Sequence, residues 1–160
     1  MSAELFHVVT PMDALSRIFE AFQPNVGQER VLLEDALSRI VAVSIYASEQ
    51  SPNFSRSAMD GFAVRGADTY GASDGLPSYV LVQGEVRMGR SAVNPVTRGT
   101  AQRIHTGGMI PPGADAVVAI ESTNGGSEGR AQVHCVVVSR QNIRPQGTDI
   151  PQGEAVLSPG

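Results

Sequence analysis

The sequence predicts a mixed, mainly β chain, with a small antiparallel barrel or sandwich across residues 51–138 and a helix ahead of it. Three observations carry this reading. Seventeen glycines and 10 prolines in 160 residues break the chain into short segments. The apolar runs between those breaks are short and rich in Val, Ile and Ala, as strands of a turn-rich β fold are. Clear helical spacing occurs in one stretch near the N-terminus.

That stretch opens with Thr10-Pro11-Met12-Asp13. Thr is a good N-cap, Pro fits the first helical position, and Asp suits the positive end of the helix dipole. Leu15, Ile18, Phe19 and Phe22 then fall on one face, and Pro24 ends the helix. A helix this short is marginal alone, so its apolar face needs a cover, in this chain or in a second copy. Val31-Leu32-Leu33 reads as a short strand and Glu34 to Leu37 as a brief helical turn. Val41, Val43 and Ile45 alternate with smaller residues, the period of a strand. Phe62 to Val64 reads as a strand that follows the Asp60-Gly61 turn. Residues 69–77 read as a polar loop. Tyr79 to Val82 reads as a strand turned at Gly84 or Gly89, and residues 90–100 as irregular. Ala101 to Thr106 looks extended. Ala116 to Ile120 is a short apolar strand, with a turn beginning at Asn124-Gly125-Gly126. Val133 to Val138 is the longest β-branched run and reads as a buried strand. Ala155 to Leu157 is a last short strand before Ser158-Pro159-Gly160, a turn that suggests a cut at a domain boundary.

Composition narrows the function. Hydrophobic residues at 41% against 18% charged residues allow a packed core. The net charge of −4 argues against a nucleic-acid partner. All 12 basic residues are arginine. That excludes a P-loop lysine, a Schiff-base lysine and a lysine general base. Arginine remains suited to bidentate contacts with phosphate or carboxylate. Cys135 is the lone cysteine, so neither a disulfide framework nor a cysteine zinc site forms within one chain. It reads as a small buried hydrophobe. No secretory signal and no membrane-spanning run are evident, so the expectation is a cytoplasmic protein without a membrane partner.

Four turns hold polar groups. The first is Ser57 to Gly61, where Asp60 precedes a glycine, with Ser55 and Arg56 just upstream. On local chemistry the simpler account is an Asx-turn in which Asp60 bonds its own backbone. The second is Arg103-Ile104-His105-Thr106-Gly107-Gly108. Exposed amides and a hydroxyl there can hold an oxyanion, although a hairpin turn with a surface histidine is the plainer reading. The third is Pro111 to Asp115 with Glu121. Its two acids stand roughly 20 Å apart along a strand, too far for one ion. The fourth is Asn142-Ile143-Arg144 with Asp149, where an ion pair is expected. His7, His105 and His134 show no ligand spacing.

Taken in order, SPNFSRSAMDGFAV, RIHTGGMIPPGADAVVAIE and NIRPQGTDIPQGEAVLSPG resemble the N-terminal part of the molybdopterin molybdenumtransferases. This is the MoeA family, which includes the E domain of gephyrin. The resemblance runs from the first helix to the last residue. It implies a β-barrel-like domain at residues 51–138, inserted in an elongated α+β dimerisation domain formed by residues 1–50 and 139–160. It implies an enzyme that transfers molybdenum from molybdate to adenylylated molybdopterin, using magnesium, as a homodimer. The cation site is expected mostly outside this stretch, and no metal ligand is assigned within it. By position, the family's cleft residues fall on Asp60 and Thr106 as catalytic groups, and on Ser57, Arg144 and Asp149 as substrate-binding groups. Thr106 is expected to donate to an anionic oxygen, and Arg144 to bind negative charge or orient Asp149. Three positions depart from the family pattern: Ser55 where Asp is frequent, Phe62 where Tyr is common, and Thr148 where Glu is common. The leading expectation is therefore a fragment that supplies a dimer scaffold and one cleft wall, inactive without the α/β substrate domain. A non-catalytic dimerisation or interaction module is the alternative. An unrelated hydrolase built on Asp60 and His105 is a third.

Overall fold

A computed structural model describes residues 8–22, 26–92, 94–125 and 129–160. Pro24, His7 and Gly126, all named above, lie outside them. The chain divides into two compact units, residues 1–42 with Gly160, and residues 43–159.

The first unit holds helix α1 (Pro11–Ala21). Thr10 is its N-cap, accepting from the Asp13 N–H at 3.1 Å. None of its side chains is buried, and Leu15, Ile18, Phe19 and Phe22 are all exposed. The expected strand at Val31-Leu32-Leu33 is absent. Leu33–Asp35 instead form a single 3-10 turn, with the two acids near its start. A strand needs a partner ladder, and a short apolar run does not make one alone.

The second unit is mainly β. Its short strands are β1 (Ile45–Tyr46), β2 (Arg56–Ser57), β3 (Gly61–Val64), β4 (Ser78–Val86) and β5 (Thr100–Ile104). They continue with β6 (Ala116–Ala119), β7 (Thr123–Gly125), β8 (Arg130–Val133), β9 (Ile143–Arg144) and β10 (Ala155–Leu157). Six strands form one sheet in the order β6-β3-β5-β4-β8-β7. All its pairs are antiparallel except β4 with β5, which is parallel. A parallel pair needs a crossover, here residues 87–99.

The sheet must curl. Its two edges, β6 and β7, are joined by Ile120–Ser122 alone, a single 3-10 turn. Five gaps of ~4.8 Å would set the edges of a flat sheet ~24 Å apart. Four Cα steps of ~3.8 Å reach only ~15 Å even when fully stretched. The curl encloses alternate residues of the strands: Phe62 and Val64 from β3, Ala116 and Val118 from β6, Val80, Ala101, Ala131 and Val133 from the rest. Small side chains suit so narrow an interior. Phe62 is its one large member, and its burial contributes ~1.5–3 kcal/mol. Cys135, half-buried, packs against this cluster. The other face of β3 is covered too, with Ala63, Val86, Ile104 and Val117 forming a second cluster.

Two chain segments run past each other beside this sheet. β1 pairs with β10, Ser51 bridges Ile150, and β2 pairs with β9, all antiparallel. The chain thus leaves along residues 45–57, builds the sheet, and returns along residues 143–157.

Several strand ends differ from expectation. The run at Val133 to Val138 is not one strand: β8 ends at Val133, where its ladder with Ser78 stops. Val137 is buried, but its N–H is taken by the Thr69 hydroxyl at 3.0 Å rather than by a strand. β4 runs through Gly84, absorbing it as a shift of register between Val82 and Glu85. Thr123–Gly125, expected as the approach to a turn, is the edge strand of a hairpin with β8.

Gly61 is required by close approach. A Cβ there would lie 1.9 Å from the Val118 carbonyl oxygen. Gly61→Ala is expected to lose stability by ~1–3 kcal/mol or more, the cost of forcing an atom into packed backbone. Gly75→Ala, where a Cβ meets nothing within 4 Å, is the control and is expected to change urea unfolding little.

Candidate functional site

The site is assembled around residues 51–58. On one side, the Ser57 N–H donates to the Gly108 carbonyl at 2.9 Å, and the Gly107 N–H donates back to the Ser57 carbonyl at 2.8 Å. On the other side, β2 pairs with β9 in the register Arg56↔Arg144 and Ser57↔Ile143. The Ala58 N–H also reaches the Asn142 carbonyl at 2.9 Å. The glycine turn and the returning tail are thereby held on opposite edges of one short strand. Between them lies an open cleft of about 510 Å³, whose lining includes Arg56, Ser57, Thr106, Gly107, Arg144 and Thr148.

Asp60 is exposed, just before β3, and does not close an Asx-turn through its own backbone. Its Oδ1 accepts from the Thr106 N–H at 2.6 Å and from the Thr106 hydroxyl at 2.9 Å, across 46 residues of sequence. The local Asx-type geometry belongs to Ser57 instead: its hydroxyl donates to the Met59 carbonyl at 2.5 Å and accepts from the Met59 N–H. These bonds to Asp60 hold its carboxyl below the ordinary value of 3.8, the Thr106 N–H first and its hydroxyl second. Nearby His105 and Arg103 act in the same direction. Both Thr106 donors are thus committed to Asp60. As placed, Thr106 orients a carboxylate rather than offering a free hydroxyl donor.

His105, expected as a bare surface histidine, has a partner that the sequence did not suggest. Its Nε2 lies 2.7 Å from Glu85 Oε1, and its Nδ1 lies 3.9 Å from Asp60 Oδ1. That hydrogen bond holds the Glu85 carboxyl below its usual range. Glu85 comes near because the parallel β4–β5 register sets it against Arg103.

In the tail, the Arg144 Nε stands 3.3 Å from Asp149 Oδ1, the expected ion pair. Arg56 shares the same carboxylate, its Nη2 being 3.7 Å from Oδ2. The Asp149 N–H is fixed on the Ser51 carbonyl at 2.9 Å. Asp115, from the third polar turn, serves the fold by accepting from the Gly66 N–H at 2.6 Å. Of the five expected residues, Ser57, Thr106 and Arg144 line the cleft. Asp60 and Asp149 are outside the lining, one bonded to Thr106 and the other paired with Arg144. Arg56 and Thr148 belong to the lining as well. Strand register would have found Arg56, and sequence spacing does not reveal it.

Fold and cleft together define a class: a curled β module carried between two antiparallel chain passes, with a polar cleft where those passes meet a glycine turn. Comparison with known proteins gives the family. The family model of the MoeA N-terminal region (domain I and II) matches residues 9–160, and the chain belongs to this family. It is 37% identical over 153 residues to the molybdopterin molybdenumtransferase of Bacillus subtilis, covering 94% of this chain and 36% of that relative. It is 33% identical over its whole length to the Staphylococcus epidermidis protein of the same name, covering 38% of it. The crystal structure of the molybdopterin biosynthesis moeA protein from Pyrococcus horikoshii OT3 superposes with a TM-score of 0.89 at 34% identity, over 96% of this chain and 40% of that one. The chain thus spans well under half the length of these relatives.

A depressed carboxyl favours the folded state in its ionised form. The Asp60–Thr106 contact therefore contributes fully above the ordinary value of 3.8 and is lost as pH falls through the lower folded value. Thr106→Val removes the hydroxyl and keeps the stronger backbone donor. An NMR titration of the Asp60 carboxyl is expected to start below 3.8 and, in Thr106→Val, to move up part of the way.

Proposed function

We propose that this chain is the N-terminal part of a molybdenum insertase, which transfers molybdenum from molybdate to adenylylated molybdopterin in molybdenum cofactor biosynthesis. It contributes one wall of the cleft and a dimer scaffold, and the rest of the machinery belongs to the regions of the relatives that have no counterpart in this sequence. The observation that carries this reading is the assembly of Thr106 and Arg144 on one cleft, with Asp60 bonded to the first and Asp149 paired with the second.

The cleft groups take the following roles in this reading. Asp60, ionised and aimed by Thr106, offers its second oxygen to a cation or a polar substrate group. Arg144, oriented by Asp149, meets negative charge. Ser57 shapes the wall through its backbone, since its hydroxyl is engaged by Met59. Magnesium is the cation of the whole enzyme in this reading. No group of three or more His, Cys, Asp or Glu side chains gathers as a metal cluster among the described residues.

The domain plan follows the same reading: residues 51–138 form the inserted barrel-like domain, and residues 1–50 with 139–160 form the elongated domain. The antiparallel run of residues 45–57 beside 143–157 supports it, because an insertion needs its entry and exit side by side. Homodimerisation is proposed through the first unit, where α1 leaves Leu15, Ile18 and Phe22 exposed on one face. The location proposed is cytoplasmic. No helix among the described residues is long and apolar enough to cross a membrane.

Asp60→Asn keeps an acceptor for Thr106 and removes the charge. In the full-length protein it is expected to cut molybdenum insertion at least ~10-fold while thermal unfolding stays near wild type, since a single charge-assisted contact at a reacting centre commonly carries that much. Unchanged insertion would take Asp60 off the site and favour a non-catalytic module. Light scattering at high concentration is expected to give twice the chain mass, and a monomer there would count against the scaffold.

A further inference from the structure

Two arginines stand directly opposite each other on the cleft wall. Arg56 of β2 and Arg144 of β9 are register partners in an antiparallel pair. Like charges so placed repel across the ladder. Among the described residues a single carboxylate answers both, Asp149, with Oδ1 toward the Arg144 Nε and Oδ2 toward the Arg56 Nη2. One negative charge against two positive ones leaves an uncompensated cation on the wall. Fold stability does not account for this arrangement. The Arg56–Asp149 separation of 3.7 Å is beyond hydrogen bonding, and Asp149 already has Arg144 at 3.3 Å. The chain as a whole carries −4, so a positive wall is a local exception to its field.

We propose that Arg56 is a ligand-binding residue of this cleft, and that Arg56 and Arg144 together hold a tetrahedral oxyanion between β2, β9 and the Gly107 turn. The proposal rests on the insertase reading for the identity of the anion and deepens it. Asp149 takes Arg144 by its Nε, which leaves the two terminal nitrogens of that guanidinium without an ion-pair partner among the described residues. Arg56 reaches Asp149 through Nη2 alone, so its Nε and Nη1 remain for the ligand. Two planar forks on neighbouring strands match the several oxygens of one dianion. Thr106 supplies no donor, because its N–H and hydroxyl both face Asp60. That makes the two arginines the principal charged donors of the cleft. The anion has two sources in the proposed reaction, free molybdate and the phosphate of an adenylyl group, and both present this chemistry.

Titration calorimetry of this chain with inorganic molybdate, and separately with AMP, tests the assignment. At least one is expected to bind, more weakly as salt rises, and the one that binds tighter identifies the source. Arg56→Ala is expected to weaken that binding by about tenfold or more, with unchanged thermal unfolding because Arg144 and Asp149 remain paired. Arg56→Lys, which restores charge without the fork, is expected to recover part of the affinity. Binding unaffected by Arg56→Ala, or no binding of either anion by the wild-type chain, overturns the proposal. Molybdenum insertion by the wild-type full-length protein is measured alongside: active protein with no anion response sinks this inference alone, whereas inactive protein sinks the insertase reading.

Discussion

Main-chain hydrogen bonding along residues 51–58 is the constraint on which the site depends. This segment spends its backbone groups in two directions. Toward the sheet, Ser55 and Ser57 tie down Ile110, Gly107 and Gly108. Toward the tail, Ser51, Pro52 and Ala58 engage Ile150, Asp149, Gly147 and Asn142. Buried or half-buried backbone groups must find partners, and here each partner comes from a segment that carries a polar side chain. Satisfying the amides of one stretch therefore brings Thr106, Arg144 and Asp149 to one place. The side chains add only the last ångströms, through Asp60 on Thr106 and Asp149 on the arginines.

The curled sheet gives that segment something rigid to lean on. β3 is buried on both faces, and its first residue, Gly61, presses against the Val118 carbonyl. The Asp60 carbonyl is itself fixed by the Ile120 N–H at 3.0 Å. An exposed carboxylate is thus mounted on a backbone with almost no freedom, so its direction is set by packing that lies beneath it. Exposed ion pairs are weak individually, ~0.2–1 kcal/mol. In this cleft they orient groups whose backbones are already hydrogen-bonded in place, a task that needs little energy.

Much of this was legible in the residues and some was not, for identifiable reasons. Helix α1 followed from Thr10-Pro11 and its apolar spacing, and β3, β5, β6 and β10 from short apolar runs between turns. The readings that failed were those in which a short apolar run was taken for a strand without knowing its partner. Val31 to Leu33 has none, and Val133 to Val138 loses its partner after Val133. Gly84 misled in the opposite way, since a wide sheet absorbs a glycine as an irregular register. At the site, local chemistry favoured a self-bonded Asp60, and only motif resemblance grouped it with Thr106. A contact spanning 46 residues leaves no trace in spacing. The facing of Arg56 and Arg144 is likewise a property of register, invisible until β2 and β9 are laid side by side.

The neighbouring entry and exit of the β module carry a further consequence. Because Ser51 bridges Ile150 and β2 pairs with β9, the residues between β2 and β9 are a closed excursion from two antiparallel chain passes. Such an excursion is a cassette. Its interior can lengthen, shrink or be exchanged over generations without rerouting the path on either side of it. The cleft, which joins that seam to the Thr106-Gly107 turn inside the excursion, is the part that any such exchange would have to leave in place.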